Sequence, residues 1–151
     1  TTLMAQNKGA GKHDRVNQGF HCGMRIEAVY GILIAVVCFA GAPSIMKMFV
    51  TDPAVIELGV RFLRTVSLFY LMPAFTNGIQ GFFRGIGDLK VTLVSSTFNM
   101  VFRAAAAAVF VLVWKMEIEA LPYSYAVGWV VMLLYELPML VRYLRSHGDE
   151  L

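Results

Sequence analysis

Apolar residues in this chain come in long runs, not in the alternating patches of a strand or the narrow stripe of a surface helix. Ala28–Met46 is uncharged, and a mixed segment from about Asp14 extends it upstream. Thr65–Phe83 is a second uncharged run. Val91–Trp114 is a third, broken only by Arg103, and Leu121–Val141 is a fourth with Glu136 as its one charge. A bilayer-spanning helix needs roughly 17–25 mostly apolar residues, so each run is long enough to span. The segments between them punctuate helices. Thr51-Asp52-Pro53 reads as a helix start, with Asp52 capping free N–H groups and Pro53 in the first turn. The helix it opens begins amphipathic, with Glu57, Arg61 and Arg64 among apolar residues, as if lying at the interface before it dives. Arg84-Gly85-Ile86-Gly87-Asp88 reads as a tight polar turn with Asp88 capping the third span, and Lys115–Pro122 closes the next turn. The pattern predicts an all-α, polytopic transmembrane helix bundle in one domain. Its four spanning helices cover about 14–48, 53–83, 89–114 and 121–143, followed by a tail at 144–151.

Composition sharpens this picture. Of the 151 residues 58% are hydrophobic and only 15% charged, with a mean hydropathy of +0.63. An ordinary soluble domain carries about 25% charged and 45–50% apolar residues, so the expected solvent is the lipid bilayer. The formal charge of +3 is mild and its bases are dispersed, which argues against a nucleic-acid partner. Thr1–Ala10 does not read as a signal peptide, and the chain is expected to begin inside a longer protein. Cys22 and Cys38 fall on one helix about 24 Å apart, too far for a disulfide, and read as inert buried thiols.

Lys and Arg set the expected orientation. Lys8, Lys12, Arg15, Arg25, Arg84, Lys90, Arg142 and Arg145 fall on one side; Lys47, Arg61, Arg64 and Lys115 fall on the other. Both ends of the chain are therefore expected to face the cytoplasm, in a multi-pass protein of the plasma (inner) membrane.

Motifs for chemistry on a substrate fail on spacing. Gly9-Ala10-Gly11-Lys12 has Gln6 where a phosphate loop needs glycine and His13 where it needs Ser or Thr. Gly85-Ile86-Gly87 lacks the third glycine of a dinucleotide fingerprint. His13, His21 and His147 have no ligand spacing with one another or with cysteine. No catalytic residue, metal site or cofactor is assigned, and the chain does not read as an enzyme.

Polar stripes inside the spans are more informative. On a helical wheel Tyr70, Pro73, Asn77, Gln80 and Arg84 fall within about 80°. Thr92, Ser95, Ser96, Asn99 and Arg103 fall within about 100° on the third span. Two polar faces suggest one shared wet or protein-lined space, although Ser, Thr and Asn also bond between helices in structural bundles. Arg103 is thirteenth of the 24 residues in its run, near mid-membrane, where a charge costs about 2.5–3.5 kcal/mol on insertion scales. Asn99, one turn back, is placed to share its hydrogen bonding, and Ala104–Ala108 offers a smooth surface for close helix approach. Glu136 lies within about 8 Å of the end of its run and reads as a solvated or salt-bridged structural carboxylate. Pro73 interrupts the second span, as breaks beside substrate paths do. The candidates for such a path are Tyr70, Pro73, Asn77, Gln80, Asn99 and Arg103.

Three segments also resemble a known family. Ala5-Gln6-Asn7-Lys8-Gly9-Ala10-Gly11-Lys12, followed by Arg15, resembles the cytoplasmic loop leading into the ninth helix of MATE (multidrug and toxic compound extrusion) transporters. Phe49-Val50-Thr51-Asp52-Pro53 resembles the opening of their tenth helix. Gly81-Phe82-Phe83-Arg84-Gly85-Ile86-Gly87-Asp88 resembles their Gly-x-x-Arg-Gly-x-Gly-Asp turn between helices ten and eleven. The resemblance implies the end of helix eight and helices nine to twelve, part of the C-terminal lobe of a twelve-helix transporter. It implies antiport of cationic or amphipathic compounds against sodium ions or protons, with a small-molecule substrate and the missing N-terminal lobe as partners. Gly9, Ala10, Gly11, Arg84, Gly85, Gly87 and Asp88 would shape cytoplasmic turns. NorM-like members carry a carboxylate where this chain has Pro73, so the resemblance implies a DinF-like branch. A lipid-linked-sugar flippase of the same superfamily, or a self-standing four-helix membrane scaffold, are the alternatives.

Overall fold

The structure, a computed structural model, describes residues 1–146. It is helical throughout: α1 Thr2–Gly9, α2 His13–Phe49, α3 Pro53–Ser67, α4 Leu71–Ile86, α5 Leu89–Leu112 and α6 Ala120–Ser146. Among the described residues, α2, α5 and α6 are long and apolar enough to cross a membrane. Residues 147–151 of the expected tail lie outside the described residues.

The second expected span, 53–83, is not one helix. It is divided into α3 and α4 by a break at 68–70. Proline explains where the break falls. The ring of Pro73 would clash with the carbonyl four residues earlier, at Phe69, and Pro73 has no N–H to donate there. The break therefore precedes Pro73 by one turn, and Pro73 sits in the first turn of α4, where its missing N–H costs nothing. Elsewhere proline is absorbed. α2 continues through Pro43, and the Phe39 carbonyl which that residue leaves without its helical partner accepts a 3.4 Å bond from Arg64 Nε of α3. α6 likewise runs through Pro138.

The capping expectations divide. Asp52 caps α3, accepting from the Ala54 N–H at 2.8 Å with Pro53 in the first turn. Asp88 occupies the position before α5, but its side chain makes no cap bond. Its backbone N–H instead donates to the Phe83 carbonyl at 2.9 Å while the Gly87 N–H donates to Arg84. These two bonds close a Schellman motif, which needs a left-handed residue, and Gly87 has φ +87°. The segment expected as a loop at 5–12 is helical as far as Gly9, and the chain turns at 10–12 with Gly11 at φ +67°.

Helix packing brings distant segments together. α5 packs most extensively on α6, and α2 on α3 and α4. α1 lies on α4: the Thr1 hydroxyl donates to the Gly81 carbonyl and Lys8 Nζ to that of Ile86. A Cβ on Gly85 would stand 2.8 Å from the Thr1 carbonyl oxygen, so the contact requires glycine. The core cluster gathers at this end of the bundle, with Met4, Val16, Phe20, Phe82, Phe83 and Leu140 drawn from four helices. Phe82, Phe83 and Tyr143 meet there edge to face. At the opposite end Arg61 of α3 pairs with Glu119 in the 113–119 connection. The Glu119 carboxyl is held below its ordinary value of 4.5 by its own backbone N–H and then by the Arg61 guanidinium.

Much apolar surface stays outside. Val29, Ile32, Leu33 and Val36 on α2 are each more than half exposed, a face suited to lipid or further helices and not to water. Cys22 is exposed and Cys38 half-buried, so neither is the buried thiol expected from the sequence: both ride on this poorly covered helix.

Candidate functional site

The two polar stripes meet, through Gln80, in a layer between α4, α5 and α6. Gln80 lies six residues before the end of α4 and Ser95 six after the start of α5, so both stand about 9 Å above the Gly87 turn. Gln80 Nε2 donates to Ser95 Oγ at 3.2 Å and to Glu136 Oε1 of α6 at 2.9 Å. The Ser95 hydroxyl donates in turn to the Thr92 carbonyl at 3.2 Å. Glu136 and Ser95 are completely buried and Gln80 nearly so. Glu136 is thus neither solvated nor salt-bridged, contrary to its position near the end of an apolar run. Helix α6 extends beyond that run to Ser146, and the Phe82–Phe83–Tyr143 cluster lies between the carboxyl and the near end of the bundle. Two polar atoms of the layer have no hydrogen-bond partner: Glu136 Oε2 and Thr92 Oγ1.

The rest of the α5 stripe continues along α6. Asn99 does not bond Arg103; its Nδ2 donates to the Met132 sulfur at 2.8 Å. Arg103, half-buried, stacks its guanidinium over the Tyr125 ring at 4.8 Å. Opposite both stands Gly128, where an added Cβ would meet Asn99 at 3.2 Å and Arg103 Cβ at 3.3 Å. The seam from Ser95 to Arg103 is about 12 Å long.

The α4 stripe does not stay together. Tyr70 sits in the break, half-buried, and Pro73 in the first turn beyond it. Asn77 and Arg84 are exposed on another side of α4, where they border a cavity of about 400 Å³ with Thr1, Met24 and Glu27. Only Gln80 of this stripe enters the buried layer. Gly85 sits against Thr1 and Met4, and Lys8 of α1 reaches the Ile86 carbonyl, so α1 and the end of α4 are neighbours at one end of the bundle. At the other end an aromatic groove of about 780 Å³ opens between the 68–70 break, α5 and α6, lined by Phe69, Met72, Phe110, Trp114 and Tyr123. Glu136 is the member of the buried layer that sequence reasoning left out of its candidates; the signal available was a lone acid on the span that follows two spans with polar stripes.

Residues 1–109 match the MatE family. The chain belongs to this family. MatE proteins are multidrug and toxin efflux transporters, and this chain is a multi-pass membrane member of them. It is 23% identical over 113 residues to the "Probable multidrug resistance protein NorM" of Thermotoga maritima, an alignment covering 75% of this chain and 24% of that protein. The chain thus spans about a quarter of the length of that relative. No solved structure matches it. The MatE match includes α1 to α4 and most of α5, hence Gln80, Thr92, Ser95 and Arg103, while Glu136 lies beyond it.

Proposed function

We propose that the chain is the C-terminal part of a secondary active antiporter that exports cationic or amphipathic compounds in exchange for sodium ions or protons. The MatE match over residues 1–109 carries this reading. The printed name of the T. maritima relative, a multidrug resistance protein, points to the same substrate class. A helix broken halfway along the second run supports it, since discontinuous helices border substrate and ion sites in transporters. On this reading Gln80, Asn99 and Arg103 line the path and Tyr70 and Pro73 form the helix break, while Asn77 stands outside it on another side of α4. Gly9, Ala10, Gly11, Arg84, Gly85, Gly87 and Asp88 shape the cytoplasmic turns. Pro73, standing in place of a carboxylate, favours the DinF-like branch. The partners are the bilayer, a small-molecule substrate and an N-terminal lobe, and both ends of the chain face the cytoplasm of the plasma membrane.

The test uses the full-length protein that contains this segment, reconstituted in liposomes with the cationic dye ethidium. Dye movement driven by an imposed sodium or proton gradient is expected. The 151-residue segment alone is expected to insert and move none, because alternating access needs two units rocking about a site. Full-length protein that moves no dye under either gradient, or a segment that moves it alone, overturns the reading.

A further inference from the structure

The buried layer holds an acid with nothing to balance its charge. Charged and titratable groups face away from Glu136 on every helix packed around it. On α4 its neighbour is the amide of Gln80, and Arg84 is exposed beside the 400 Å³ cavity. On α5 the facing groups are Thr92, Ser95 and Asn99; Lys90 is exposed at the helix start, and Arg103 is held on Tyr125. Tyr125 is eleven residues from Glu136, about 16 Å along α6. On α6 itself Arg142 is exposed, Tyr135 packs on Phe98, and Tyr143 packs on Phe82 and Phe83. α3 sends Arg61 to Glu119 and Arg64 to the Phe39 carbonyl. Among the described residues no cation reaches the carboxyl.

A carboxylate shut away from water without a cation is strongly disfavoured in its charged form. Two ions can remove that penalty, a metal cation or a proton, and the layer discriminates between them. Gln80 Nε2 donates to Oε1, so the carboxyl offers one unpartnered oxygen, fewer than the several oxygen ligands a hard metal cation takes. A proton needs one lone pair, and Glu136 Oε2 has it free. The neutral acid keeps Oε1 as acceptor for Gln80 and gains an O–H donor in a layer where Thr92 Oγ1 is also unpartnered.

We propose that Glu136 is a proton-binding site, carrying a proton on Oε2 while the layer is closed and releasing it when the α5–α6 seam opens to water. This deepens the antiporter reading above and rests on it for its role in transport. On release the Oε2–H bond breaks, the proton passes to bulk water and the electron pair stays on the carboxylate. The resulting negative charge is balanced by a cationic compound entering the seam, so proton and cation occupy the layer in turn. That alternation is the requirement for exchange. Gln80 is a positioning residue: it holds Oε1 and leaves Oε2 to the proton.

The experiment has one arm that reads protonation and one that reads coupling, both on the full-length protein. Infrared difference spectra between acidic and alkaline buffer are expected to show loss of a protonated-carboxyl C=O band that shifts in D₂O and is missing in Glu136→Gln. In proteoliposomes, Glu136→Gln is expected to lose ethidium accumulation driven by a pH gradient. Glu136→Asp is expected to keep the band and to recover part of the pH-driven accumulation, which guards against a misfolded Gln variant. A band unchanged in Glu136→Gln overturns the proposal, as does pH-driven accumulation at the parental level in that variant, or parental accumulation that follows sodium alone. If the parental protein moves no ethidium under any gradient, the antiporter reading falls, and presence or absence of the infrared band alone decides for or against Glu136.

Discussion

In α5 the guanidinium of Arg103 lies 4.8 Å from the Tyr125 ring, with Gly128 giving the two helices room to approach. A cation–π contact of this kind is worth about 0.5–2 kcal/mol, which offsets only part of the 2.5–3.5 kcal/mol or so that a mid-helix charge costs on insertion. A charge kept at a net cost points to use. In the full-length protein Arg103→Ala is therefore expected to keep near-parental membrane abundance but to lose transport, and Arg103→Lys to lose part of it, because lysine keeps the charge without the flat five-donor fork. The measurement is ethidium transport per folded molecule. A parental value for Arg103→Ala makes Arg103 structural.

Elements here are ended by backbone geometry more than by side-chain caps. Asp88 looks like a cap in the sequence, yet the Gly87 turn is closed by two backbone bonds that depend on a left-handed residue. Gly87→Ala is expected to destabilise the bundle by about 1–2 kcal/mol, the cost of a Cβ in that conformation, whereas Asp88→Ala is expected to change stability by less than about 0.5 kcal/mol. Unfolding in detergent, followed by circular dichroism, separates the two. Equal losses would return the capping role to Asp88. The break at 68–70 belongs to the same scale. It leaves two helices of 15 and 16 residues, each too short to span alone, where the hydropathy pattern contains one continuous apolar run.

For the whole molecule the arrangement of helix ends makes a topological claim. Lys12, Asp88 and Arg145 stand at ends of helices that gather with the core cluster, while Asp52 and Glu117 stand at the other end, near the Arg61–Glu119 pair. With Cys22 and Cys38 replaced, single cysteines at Lys12, Asp88 and Arg145 are expected to label from the cytoplasm, and those at Asp52 and Glu117 from outside. The proposed orientation follows the excess of Lys and Arg on the first side. Asp88 labelling from the side opposite Lys12 would mean that α3 and α4 together do not cross the membrane.

The limits of the three long helices and the membrane environment were legible in the sequence, because each depends on the local density of apolar residues and on short-range turn chemistry. The helix α1 and the division of the second run into α3 and α4 were not legible there. The runs at 14–48, 89–114 and 121–143 lie within two residues of α2, α5 and α6 except where α6 extends to Ser146. The polar stripes were legible too, since the helical period alone puts Gln80 with Asn77 and Ser95 with Thr92. Which of those residues face one another was not. Rotation of α4 about its axis sends Gln80 inward and leaves Asn77 and Arg84 outside, a choice made by the fit of Phe82, Phe83 and Ile79 against the other helices. Glu136 sits 41 residues from Ser95 in the chain, and a single carboxyl in an apolar run looks the same whether a neighbouring helix or water meets it. Burial is a property of what packs against a residue, so the tertiary structure alone makes Glu136, among the described residues, a buried acid without an ion-pair partner.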